Sequence, residues 1–183
     1  ISSEGTLLIT DWGLSGPAAL KLSSYAAVLL AGKQYRCPLV INWTGLDEES
    51  QRRHLELLAG ENPRKLVSSV GPGQLSARLW KYLCAKAGVA EGTRWSEPGP
   101  KQLNRLVSRI CAFETEISGR AKFKEEFVTA GGVALSGVDP STMQSRQHPG
   151  LYFAGEVLDI DAITGGFNLQ AAWSTAFTVA EHI

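Results

Sequence analysis

The stretch of this chain richest in groups able to do chemistry runs from Leu151 to Trp173, LYFAGEVLDIDAITGGFNLQAAW. It sets three carboxylates, Glu156, Asp159 and Asp161, between a short apolar run and a Thr164-Gly165-Gly166 turn that opens a helix. The first N–H groups of a helix lack intrahelical partners and sit at its positive dipole end, so they attract an electron-rich ligand group. Gly165 and Gly166 carry no Cβ to keep a planar ligand off that backbone. Carboxylates at the C-terminal end of a strand can accept hydrogen bonds from sugar-like hydroxyls. The plainer alternative is a glycine turn leading into a structural helix. Spacing alone leaves both open.

The elements that must position these groups can be read from the pattern. Leu151-Tyr152-Phe153-Ala154-Gly155 is a short continuous apolar run, which predicts a strand buried on both faces. The last helix is expected to start near Gly166 and to bury Leu169, Ala172, Trp173, Ala176, Phe177 and Ala180, spaced i, i+3, i+4. Upstream, Thr6 to Ile9 reads as a strand, and Ala18 to Leu30 as one Ala/Leu-rich helix capped by Ser15, with Pro17 in its first turn and Gly32 closing it. Pro38 to Trp43 reads as a second strand. Three further helices are predicted at about 47–59, 73–87 and 100–112. The first has Asp47, Glu48 and Glu49 at its dipole-favoured end. The second would carry a stripe of Leu75, Leu79, Tyr82 and Leu83, and the third one of Leu103, Leu106, Val107 and Ile110. Phe113 to Ile117 alternates as a strand with Glu114 and Glu116 on a wet face. Phe127 to Val133 is mostly apolar with paired glycines, and Asp139-Pro140 and His148-Pro149-Gly150 mark turns.

Composition bounds the function classes. At 183 residues, 44% hydrophobic and 20% charged, the chain has the balance of a globular protein, which excludes disorder and fibrous repeats. Its net charge of zero disfavours a strongly cationic phosphate-binding surface. The zero averages two biases: residues 1–126 carry +4 and residues 127–183 carry −4. Cys37, Cys84 and Cys111 form no CxxC pair or metal spacing and read as structural thiols of a reducing compartment such as the cytoplasm. His54, His148 and His182 are scattered, so no metal site is expected. The longest apolar run, Tyr25 to Ala31, is far short of a membrane span. Arg120, Lys122 and Lys124 alternate with apolar residues as the wet face of a strand, and nucleic acid is not the expected partner. The first residues show no signal peptide and no initiator Met, so the chain is expected to be the C-terminal part of a longer protein.

Three blocks, in order, carry a family resemblance. They are Trp12-Gly-Leu-Ser-Gly-Pro17, then Val128-Thr-Ala-Gly-Gly-Val133 with Asp139-Pro-Ser-Thr-Met-Gln-Ser145, then Gly150 to Asp159 with Thr164-Gly-Gly-Phe-Asn-Leu-Gln170. Together they resemble the BaiN-like flavoproteins, an NAD(P)/FAD-dependent oxidoreductase family of the two-dinucleotide-binding group. The resemblance implies a mixed α/β fold in two parts. Residues 1–125 would be the later part of an inserted, helix-rich second domain, and residues 126–183 the strand–helix return of a Rossmann-like FAD-binding domain. Gly155 and Glu156 would then lie at the ribityl or pyrophosphate region. Asp159, Asp161 and Thr164 would line the same loop, and Gly165, Gly166, Phe167 and Asn168 would bring the last helix to the flavin pyrimidine ring. The implied cofactor is FAD, with NAD(P)H as candidate reductant, and no residue is singled out as acid or base because the flavin carries the hard step. The family's GxGxxG phosphate turn does not occur in these residues, so an N-terminal FAD-binding portion is the implied partner. Asp11 stands where the family would have His, and Ala162 where it would have Gly. A second reading is a non-catalytic scaffold or interaction module derived from such a flavoprotein.

Overall fold

A computed structural model describes residues 1–121 and 128–183. The expected boundary at 125/126, and the expectations for Lys122, Lys124 and Phe127, fall outside the described residues. By contact, Cys37–Ile117 forms one compact unit, and Ile1–Arg36 with Ser118–Ile183 forms a second.

The Cys37–Ile117 unit is built on an antiparallel pair, β3 (Cys37–Ile41) and β4 (Phe113–Ile117), in register from Cys37↔Ile117 to Ile41↔Phe113. Both strands alternate half-buried and exposed positions, which leaves Glu114 and Glu116 in water as the pattern predicted. Three helices complete it: α3 (Glu48–Glu61), α4 (Ala77–Lys86) and α5 (Pro100–Cys111). Asp47 caps α3 by accepting from Ser50 N–H at 2.8 Å, and Ser76 caps α4 by accepting from Leu79 N–H at 3.3 Å. That cap starts α4 at Ala77 and leaves Leu75 outside the helix. The core joins Leu55 of α3, Trp80 and Leu83 of α4, Leu106, Val107 and Ile110 of α5, and the loop residues Val67 and Trp95. Trp80 donates Nε1–H to the Val67 carbonyl at 2.6 Å and stacks on Trp95 at 6.3 Å. Tyr82, expected on the buried stripe, is exposed instead: it lies one residue off the Leu79–Leu83 line, with its ring tilted at 52° to that of Phe113 and 6.1 Å away.

The other unit begins with a minimal antiparallel pair, β1 (Leu8–Ile9) and β2 (Leu14–Ser15), followed by α1 (Pro17–Tyr25) and α2 (Ala27–Gly32). The single helix expected here is broken at buried Ala26 (φ −101°, ψ 7°). Ser15 is no cap, because it is consumed in β2. Gly16 takes the N-cap position at φ 88° with no side-chain cap. Nor does Gly32 close the helix: it is the last residue of α2, and the left-handed turn falls on Gln34 and Tyr35.

From Val128 onward the backbone is held by isolated bridges rather than by a sheet. Val133 pairs with Leu158 in parallel, Val138 with Ser145, and Gln144 with Tyr152. A small core of Val138, Met143 and Leu158 gathers Val133, Phe153, Ile160 and Val179 around it. The strand predicted at Leu151–Gly155 does not form. Tyr152 makes one bridge, Leu151 is exposed, and Gly155–Val157 turns as a short 3₁₀ segment. No neighbouring strand lies on both sides among the described residues, so an apolar run alone could not make one. The last helix, α6 (Phe167–Ala180), starts where expected, after Gly166. Most of its predicted buried stripe faces outward. Leu169, Trp173 and Phe177 are 65%, 70% and 64% exposed and Ala176 and Ala180 are exposed too; of the expected stripe only Ala172 is half-buried, and it packs together with Ala171, Thr175 and Val179, which lay off the stripe.

Candidate functional site

The acid-bearing loop and the glycine turn are held against α6 by two side chains of the helix. Asn168, in its first turn, accepts from Ala162 N–H at 2.9 Å and donates to the Ala162 carbonyl at 2.9 Å. Thr175, seven residues further on, accepts from Gly155 N–H at 3.0 Å and donates to the Ala171 carbonyl at 2.7 Å. The two clamps lie about 10 Å apart along the helix, from its rise of 1.5 Å per residue. Between them they fix both ends of the segment that carries Glu156, Asp159 and Asp161. All nine expected site residues, Gly155, Glu156, Asp159, Asp161, Thr164, Gly165, Gly166, Phe167 and Asn168, thus belong to one compact unit around one helix.

The start of α6 is open. Gly166, at φ 91°, is the N-cap and supplies no side-chain cap, and Gly165 precedes it at φ 133°. Both are left-handed or near-forbidden conformations for other residues, so glycine is required at each. A Cβ built on Gly166 would meet nothing within 4 Å, and one on Gly165 only the Phe167 ring at 3.6 Å. Open space therefore lies over uncapped N–H groups, which fits the approach of a flat, electron-rich ring. Thr164, Gly165, Gly166 and Phe167 are exposed. The side chains of Glu156, Asp159 and Asp161 make no hydrogen bond or ion pair with any described residue. Gly155, at φ 73°, sits with its would-be Cβ 3.9 Å from the Ala172 methyl, so the loop crosses the helix closely there.

Asn168 has a different duty from the one its motif suggested, since both ends of its amide are occupied by the Ala162 backbone. Ala162, where the resembled family would have Gly, is not among the positive-φ residues, so a methyl is tolerated. Thr175 and the Ala162 backbone were not singled out in the sequence. An Ala/Thr-rich helix face gives no sign of which hydroxyl will reach a loop twenty residues away. Gly132 was visible only as half of a glycine pair. It lets the backbone before Val133 lie against Val157 and Leu158, where a Cβ would meet the Val157 carbonyl oxygen at 2.6 Å.

Several other side chains have local contacts. Asp139 accepts from the Ser141 hydroxyl and backbone N–H, and these hydrogen bonds hold its carboxyl below the usual value. The His182 ring meets the Thr178 carbonyl at 2.8 Å. The Arg120 guanidinium lies 5.4 Å over the Tyr35 ring. All three cysteines are free, and burial pushes the Cys84 thiol up to about 12. Among the described residues no group of three or more His, Cys, Asp or Glu could hold a metal ion. No helix among them is long and apolar enough to cross a membrane.

Residues 7–182 match the family model described as the HI0933-like protein Rossmann domain. The chain belongs to that family. Its mixed α/β architecture agrees with the match. Three curated proteins are similar over nearly all of it. A ribosomal RNA dihydrouridine synthase of Escherichia coli is 28% identical over 97% of this chain and 42% of its own length. A protein of the same name in Haemophilus influenzae is 30% identical over 95% of this chain and 41% of its own. A 3-dehydro-bile acid delta(4,6)-reductase of Clostridium scindens is 30% identical over 94% and 42%. The chain therefore spans about two fifths of the length of these relatives.

Proposed function

We infer that this HI0933-like chain forms the flavin-ring side of the FAD site of an oxidoreductase. The observation that carries the reading is the open, glycine-turned start of α6, with the acid-bearing loop pinned to the same helix by Asn168 and Thr175. The relatives' names agree with reductive chemistry. One is a reductase, and making dihydrouridine from uridine is the reduction of a ring double bond. FAD, when bound, would supply hydride transfer, with NAD(P)H as the candidate reductant.

The chain's own residues would bind and orient. N–H groups at the start of α6, reached over Gly165 and Gly166, would face the electron-rich edge of the ring and favour negative charge there. Asn168 would keep the 162–166 loop folded back so that this approach stays clear. Glu156, Asp159 and Asp161 would accept hydrogen bonds from ribityl or ribose hydroxyls. Thr164 and Phe167 would border the ring. The adenosine and pyrophosphate contacts would come from a portion carrying the phosphate turn that these residues lack.

Absorbance of the intact protein after reconstitution with FAD tests the reading. Flavin bands that survive gel filtration are expected, and their absence would sink it. A second reading, a scaffold or interaction module, is favoured by one observation, the lack of a GxGxxG turn in the chain. It predicts stable folding with no flavin bound.

A further inference from the structure

Charge is not spread evenly over the helices of the Cys37–Ile117 unit. Helix α3 mixes signs: Glu48, Glu49, Glu56 and Glu61 stand with Arg52 and Arg53, and Arg53 pairs with Glu49 at 3.5 Å. Helices α4 and α5, which pack together, carry Arg78, Lys81, Lys86, Lys101, Arg105 and Arg109 and no acid at all. None of these bases makes an ion pair with a described residue. All are exposed except Arg109, which is half-buried, and none lies on the faces that bury Trp80, Leu83, Leu106 and Ile110.

That arrangement works against the fold. Lys101, Arg105 and Arg109 repeat at i, i+4 and i+8, a row about 12 Å long in which like charges oppose one another. Arg78 and Lys101 are each the second residue of their helix, at the dipole end that disfavours a cation, whereas α3 opens there with Glu48 and Glu49. Local rules broken without a structural gain mark surfaces kept for function. The net charge of zero hid this face, because a sum over the whole chain cannot show a local excess.

The two helices meet at Gly88. Gln102 donates to the Gly88 carbonyl at 3.1 Å, and the Arg105 guanidinium lies 3.8 Å from where a Cβ on Gly88 would stand. Lys86 holds its ammonium 5.5 Å from the ring centroid of Tyr82, which is 47% exposed. Tyr82 is the one exposed large apolar side chain on α4 or α5. A membrane surface would require several such side chains among the cations. Duplex DNA keeps its bases paired and stacked inside, away from Tyr82. An RNA with unpaired bases in a loop or at an end uses both features, its phosphates meeting cations and a base meeting the aromatic face. We propose that the outer faces of α4 and α5 form a docking surface for single-stranded or looped RNA, with Lys101 and Arg105 on the phosphates and Tyr82 against a base. The face belongs to the Cys37–Ile117 unit and the flavin-site residues to the other, so the proposal stands independently of the flavin reading.

Fluorescence anisotropy of the intact protein with a labelled, uridine-rich RNA of about 20 nucleotides, over roughly 50–300 mM KCl, tests it. Micromolar binding is expected, weakening with salt at a log–log slope of about −3. The pair K101E/R105E should weaken binding by about tenfold or more and make the slope shallower by about 1.4, since each single-strand phosphate contact contributes about 0.7. The pair R52E/R53E makes the same charge change on α3 and should leave the slope unchanged. Tyr82→Ala should weaken binding about tenfold at an unchanged slope, because stacking releases no counterions. Lys101→Glu alone should weaken binding while holding or raising the thermal midpoint, since an acid suits that helix end. Absence of binding, a flat salt response, or equal losses from the α3 and α5 pairs would overturn the proposal. Tighter binding to DNA of the same sequence, single-stranded or duplex, would overturn it too. Preference for anionic phospholipid vesicles would assign the face to a membrane, and displacement of the RNA by polyglutamate at equal charge would assign it to an acidic protein; either result overturns the RNA assignment.

Discussion

Two single residues show how differently a glycine and an amide are used in this chain. Gly71 has an ordinary backbone, but a Cβ there would lie 2.5 Å from the Trp80 ring, which is itself anchored to the Val67 carbonyl. Gly71→Ala must displace a buried tryptophan, so a loss of about 1–3 kcal/mol is expected, read as a lower urea midpoint. Asn168 is the opposite case, a side chain whose value lies in both its ends. Asn168→Ala removes two hydrogen bonds to Ala162, and Asn168→Asp keeps the acceptor but loses the donor. Both should free the 162–166 loop and weaken flavin binding in the reconstituted protein, the alanine by roughly tenfold or more, since each such bond is worth about 1 kcal/mol. Titration of FAD followed by fluorescence quenching measures it. Unchanged affinity in both variants would remove Asn168 from the binding machinery.

At the scale of the element, caps decide where helices begin. Ser76→Ala should cost about 1 kcal/mol by removing the oxygen that accepts from Leu79 N–H, visible in the thermal midpoint. Asp47 caps α3 as a carboxylate, and hydrogen bonds from the Ser50 backbone and hydroxyl hold its carboxyl below the usual carboxylate value. A depressed folded-state value means that this stabilisation is present above the unfolded carboxylate range, near pH 4, and is lost as pH falls through the lower folded value. The melting temperature should therefore drop on acidification from pH 5 toward pH 2, and Asp47→Ala should flatten part of that drop. Asp47 was legible only as an acid at the dipole-favoured end, and Ser76 fell inside the helix expected at about 73–87, so neither was read as a cap. The break at Ala26 was not legible either, because no glycine or proline marks it. Ser15 misled for a related reason: its type suits a cap, but pairing with Leu8 in β2 claimed it first.

Over the whole molecule, the two compact units differ in how they are held. Cys37–Ile117 has a core shared by three helices and a strand pair, whereas the described core of the other unit is the Val138–Met143–Leu158 group with its half-buried neighbours. Hydrogen exchange should reflect this. The slowest amides are expected in α5 at Leu106, Val107 and Ile110, and those of α6 should exchange several orders of magnitude faster in the chain alone. If the α6 amides are already as protected as those of α5, the smaller core does not limit the stability of its unit.

The sequence by itself determined which segments are helical, that Phe113–Ile117 pairs with one wet face, and that Thr164-Gly-Gly opens the last helix. Those features depend on local chemistry: caps, periodicity, and glycines that must take positive φ. It also supplied the acids and glycines of the candidate site, because residue type and spacing are local too. What only the tertiary structure decided was which groups are already spent and which face is free. Asn168 proved to be engaged with Ala162, Thr175 to hold Gly155, and the apolar run 151–155 to lack strand partners. The stripe of Leu169, Trp173 and Phe177 has the spacing of a buried face, and spacing cannot tell which layer does the burying. Hydrophobic pattern records that a side chain is to be removed from water; only the arrangement of the other elements says by what.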